Sequence, residues 1–150
     1  MNKSPAYSLI EILLVLVILA LVSIPGFFVY IRSQANQRLQ ASAEIFSNHV
    51  RQARTFSRDA REGRTWGLVR VTESNYDLVS WTDTGATTTE ENYQLQAGII
   101  FKNNFDVRFS KLSGDPLVIQ PIKVGNKFNQ CYMVDILATG VVETKHSDCI

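Results

Sequence analysis

Residues 12–31, ILLVLVILALVSIPGFFVYI, carry no charged side chain, and only Ser23, Pro25, Gly26 and the amphipathic Tyr30 interrupt them. At about 1.5 Å of rise per residue, twenty residues make about 30 Å of helix, the thickness of a bilayer's hydrocarbon core. Such a run needs lipid or other helices around it. One acid, Glu11, sits at its N-terminal edge, behind a polar leader, MNKSPA, with a single Lys. The segment reads as membrane-spanning, with an unusual front end.

Three arrangements compete for this segment. A secretory signal peptide would need a small-x-small cleavage site, whereas Leu21-Val22-Ser23 puts a bulky residue three before the cut. Glu11 would also be costly inside an apolar h-region. A plain N-terminal anchor leaves that cost unexplained. The third arrangement accounts for both the leader and the acid.

Ala6-Tyr7-Ser8-Leu9-Ile10-Glu11, followed at once by the apolar run, resembles the class III signal of type IV pilins and pseudopilins. That pattern is a short basic leader, a small residue, an aromatic first mature residue and a Glu four positions later. The sequence departs from the commonest form in having Ala6 for Gly and Tyr7 for Phe, and both keep the size class. The resemblance implies cleavage between Ala6 and Tyr7 by a prepilin peptidase/methyltransferase, with N-methylation of Tyr7. It also implies an inner-membrane assembly platform and other pilin or pseudopilin subunits as partners. The physics of Glu11 agrees: a carboxylate at the membrane edge costs several kcal/mol unless paired. By the resemblance, Glu11 pairs with the freed amine of a neighbouring subunit and pins one axial register between helices.

Pro25 removes a backbone hydrogen bond and clashes with the preceding turn, so Pro25-Gly26 predicts a kink or a loosened helix. Beyond Ile31 the pattern becomes amphipathic. Leu39, Ala43, Phe46, Val50, Ala53 and Ala60 recur on one stripe, with Ser57 filling a gap. Gly63 is the natural stop. The reading is one helix from Ser8 to about Glu62, approaching about 80 Å, with its second half packed on a head. Arg51, Arg54, Arg58 and Arg61 line one edge beside that stripe. They read either as a cationic rail for nucleic acid, a polyanionic partner or lipid headgroups, or as a solvated flank with Arg58-Glu62 as a weak pair. No aromatic platform is interleaved with them, which weakens the nucleic-acid reading. His49, among polar neighbours, reads as structural.

From Arg64 the period changes. Thr65–Thr72 and Asn75–Trp81, joined by a turn at Glu73-Ser74-Asn75, read as a hairpin. Residues 82–92, TDTGATTTEEN, read as a polar surface loop. Short strands are expected at 93–95, 99–101, 107–109, 117–122, 132–137 and 141–143. Turns are expected at 103–104, 113–116, 125–126 and 139–140. The Arg-rich helix end, the WGL strand and the closing VDILATGVVE strand pair resemble the GspH/FimT-like minor pilins. The fold class expected is α+β: a long N-terminal helix packed on an antiparallel β-rich head. Its parts are a leader (1–6), an assembly half of the helix (7–31), an amphipathic half (32–62) and the head (63–150).

Cys131 and Cys149 are the only cysteines. With the helix anchored and the head outside the cytoplasm, a disulfide would persist, closing a loop of about 19 residues for about 3 kcal/mol. Two free buried thiols, or a metal site with His146, are the alternatives, though such a site lacks a fourth ligand. No nucleotide, metalloprotease or nucleophile-elbow motif is present, and two histidines leave little for a catalytic triad. Neither enzyme activity nor a cofactor or metal is expected. A net charge of +1 gives no bulk case for nucleic acid. The expected role is a minor pilin or pseudopilin of a type IV pilus-like filament, serving adhesion, motility, DNA uptake or secretion. It would sit single-pass in the cytoplasmic membrane and then in the pilus at the cell surface. A type II secretion pseudopilin of the H class is the nearest alternative. From another class, a membrane-tethered polyanion-binding domain using the arginine edge would be the alternative.

Overall fold

A computed structural model of the chain describes residues 8–149, except for the side chains of 23–26. One helix, α1, spans Leu9–Arg58. A left-handed Ala60 then turns the chain into a single 3-10 turn at Arg61–Gly63. Eight strands follow: β1 (Thr65–Arg70), β2 (Asn75–Trp81), β3 (Thr87–Gln94), β4 (Ile99–Phe101), β5 (Asp106–Arg108), β6 (Ile122–Asn126), β7 (Gln130–Ile136) and β8 (Val142–Asp148). They form two antiparallel four-stranded sheets, ordered β3-β2-β1-β5 and β4-β6-β7-β8. The fold is α+β, as the periods predict.

The chain divides into two compact units, one ending at Ala35 and one beginning at Asn36. In the first, every large apolar side chain described from Leu9 to Tyr30 is exposed. In the second, Leu39, Ala43, Phe46, Val50 and Ala53 of α1 are fully buried, as the stripe predicts. All of these but Ala43 join Trp66, Leu68, Tyr76, Leu78, Phe101, Val107, Val124, Val134 and Ile136 in one core. Phe46 is its hub, edge-on to Tyr76, Phe101 and Phe105 at centroid distances of 5.1, 5.2 and 5.3 Å. The two sheets meet at the β1–β2 turn, where the amides of Leu95 and Phe101 donate to the carbonyls of Ser74 and Glu73.

The elements differ from expectation in five places, one being the closing strand, expected at 141–143 but running as β8 over Val142–Asp148. The helix ends at Arg58, not Glu62, because Ala60 and Glu62 both take left-handed backbone (φ 47° and 55°). Residues 87–94 form strand β3, not loop, with a bulge opposite Leu78/Val79. Gly125 and Asn126 lie in β6; the turn falls later, at Lys127–Asn129, where the Asn126 side chain accepts from the amides of Phe128 and Gln130. Residues 117–121 are not a strand, and Leu117, Val118 and Ile119 stand exposed.

Candidate assembly surface

The apolar part of α1 is long and apolar enough to cross a membrane by length and composition. Glu11 lies in its first turn, where the amides of Glu11 and Ile12 both approach the carbonyl of Ser8. An acid there complements the positive end of the helix dipole. No ion pair reaches Glu11 among the described residues. Ala6 and Tyr7 lie outside the described residues. Pro25 and Gly26 fall within the helical span, but their side chains lie outside the description.

The four arginines divide by role. Arg51 donates to the Asn48 side chain and to the carbonyl of Val142, both at 3.0 Å. Arg54 donates through Nε to the carbonyl of Gly114 (3.1 Å) and through Nη2 to that of Thr139 (2.6 Å), so it staples the helix to two loops. Arg58 pairs with Asp59, both exposed, while Glu62 pairs with Arg64; the expected Arg58-Glu62 pair does not form. Arg61 lies past the helix end and covers the rings of Phe56 and Trp66, 4.3 and 5.5 Å from their centroids. The 3-4-3 spacing therefore describes one edge only as far as Arg58.

Two further supports could not be seen as pairs in the sequence. The fully buried Ser57 hydroxyl accepts from the Trp66 amide (2.7 Å) and donates to the Trp66 carbonyl (3.2 Å), tying the helix end to β1. His49 shares a hydrogen bond with the Tyr76 hydroxyl (2.8 Å) and stacks on Tyr93 at 3.9 Å. The Tyr93 hydroxyl donates to Glu91. Burial pulls the His49 imidazole below its ordinary value, and the Glu91 charge opposes that. Burial, then the bond to Glu91, pushes the Tyr93 phenol up to about 12.

Cys131 and Cys149 are disulfide-bonded, their Cα atoms 5.2 Å apart, so neither the free-thiol nor the Cys–His metal alternative applies to them. Among the described residues no group of three His, Cys, Asp or Glu side chains is placed to hold a metal ion.

A long helix with an exposed apolar first part, followed by an antiparallel head whose core takes in the helix's second part, is a pilin-like fold. Two solved structures of the minor pseudopilin EpsH from the type II secretion system of Vibrio cholerae share it. One superposes with a TM-score of 0.58 at 12% identity, covering 73% of this chain and 97% of that one. The other gives 0.54 at 12% identity, covering 75% and 98%. No protein-family model matches the chain, and no curated protein matches it significantly in sequence.

Proposed function

We propose that the chain is a minor subunit of a type IV pilus-like or type II secretion filament, held in the cytoplasmic membrane before assembly. The observation that carries this reading is the exposed apolar helix of the first unit, which joins without a break to the helix buried in a pseudopilin-like head. Apolar side chains of that kind are covered by lipid in the membrane and by neighbouring helices in a filament. The prepilin peptidase/methyltransferase would cut after Ala6 and methylate Tyr7. Glu11 would then pair with the amine of an adjacent subunit, and the assembly platform would draw the helix from the bilayer. Pro25-Gly26 would let the helix bend as neighbours close around it. H-class pseudopilin is the nearest specific role, because the matched structures are of such a minor pseudopilin.

The arginine edge lends itself less to polyanion binding, since Arg51 and Arg54 spend their donors on backbone carbonyls and Arg61 covers aromatic rings.

The test is the intact mass and N-terminus of the protein isolated from its native membrane, together with filament incorporation of Glu11→Val. A chain beginning at methylated Tyr7, with incorporation reduced in the variant, is expected. A chain retaining residues 1–6 overturns the reading.

A further inference from the structure

Strand β8 ends its sheet with an unpaired edge. The amide of Leu137 donates to the carbonyl of Val141, and the register pairs Asp135 with Glu143 and Met133 with Lys145. Alternation along an antiparallel ladder therefore turns the backbone groups of Val142, Thr144 and His146 away from β7. Arg51 takes up the carbonyl of Val142, while Thr144 and His146 have no backbone partner on that side among the described residues. The edge opens into a groove of about 510 Å³ between β8 and α1, lined by Glu44, Asn48, Arg51, Glu143, Thr144 and Lys145. Two further facts mark Thr144. Its hydroxyl is buried without a hydrogen-bond partner, and it lies between Glu143 and Lys145, which pair with each other at 2.6 Å on the same face of the strand.

We infer that β8 is a self-complementary docking edge for β8 of a second copy of this chain, in antiparallel register with Thr144 opposite Thr144. In that register Thr144 exchanges two backbone bonds across the axis, and the two Thr144 hydroxyls become cross-strand neighbours. Glu143 of each copy then faces Lys145 of the other, twice, as isologous symmetry requires. Neighbouring registers lack this match. Centring on Lys145 keeps the outward backbone groups in step but sets two ammonium groups against each other and leaves Glu143 facing Ser147; centring on His146 leaves Lys145 facing Ser147. Charge complementarity thus selects both the occupant and the register. An edge lysine ordinarily discourages pairing, whereas this one already sits beside Glu143 of its own strand, and an identical strand offers it a second carboxylate. The contact lies within the second unit and does not depend on the filament reading.

The test uses the full chain in detergent micelles with its disulfide intact. Thr144→Cys reports the register through an intermolecular disulfide on a non-reducing gel. Sedimentation of the charge variants without that cysteine reports association independently. Glu143→Lys alone and Lys145→Glu alone should each lower association at least tenfold. An equimolar mixture of the two single variants should recover it as a mass-distinguishable heterodimer, and the double reversal should self-associate like the parent chain. Association that is the same in all variants would reflect the apolar helix alone and overturn the inference. So would a mixture that associates no better than its components.

Discussion

Phe46 and His49 sit three residues apart on α1, one facing the core and the other its margin. Phe46 touches three aromatic rings, so Phe46→Ala should lower unfolding free energy by about 3–5 kcal/mol, read by urea titration. His49 gives a pH dependence of defined sign. Its folded-state value lies below the ordinary 6.5, so the unfolded chain takes up the proton first as pH falls. Stability is then complete above about pH 6.5 and is lost as pH drops from there through the folded value. A urea midpoint that falls between pH 7.5 and 5, and falls less in His49→Gln, is the expected result. The groups facing His49 are Tyr76 on β2 with Tyr93 and Glu91 on β3. The sequence gives Phe46 its place through helical spacing alone. It conceals the surroundings of His49, because Tyr76 and Tyr93 lie 27 and 44 positions further along the chain and only strand pairing brings them together.

Among the elements, β8 was foreseen only at its start, because Thr144–Asp148 are polar, whereas α1, the β1–β2 hairpin and β7 were legible through a period and a recognisable turn. Strand β3 was not: its residues from Thr87 to Asn92 are polar and exposed on both faces, so no alternation survives. What holds it is pairing with β2, and its bulge and two glutamates suit an edge that must not recruit strangers. Gly125 misled for a different reason. It signals a turn in the sequence, but in β6 it is needed because a Cβ there would press on the Cys131 sulfur and the Lys102 side chain. The same sulfur ties β7 to the residue just beyond β8. The bond spans a sequence separation of 18, so Cys149→Ser should cost about 3 kcal/mol in the loop-entropy account. The thermal midpoint with and without reductant checks it: reductant should lower the parent chain's midpoint and leave the variant's unchanged.

Across the whole molecule, the second unit carries the packing and the first carries the exposed apolar surface. The fall of charge and apolar residues along the chain put the change after Ile31, four residues before the end of the first unit at Ala35. How the loops lock onto the helix was not foreseeable, since that rests on one side chain threaded between two distant glycines. A Cβ at Gly140 would collide with the Arg54 guanidinium, and one at Gly114 would crowd the Arg54 and Arg58 stems; both glycines have left-handed φ, 74° and 69°. Gly140→Ala should therefore cost more than the roughly 1–2 kcal/mol of left-handed backbone alone. In an Arg54→Ala background its incremental cost should shrink to about that figure, a coupling that a double-mutant cycle of urea midpoints would measure. The three positions then form a unit of inheritance. In descendants that lose the arginine, the collision lapses and asparagine becomes admissible at position 140, whereas lineages that keep it must keep the glycine.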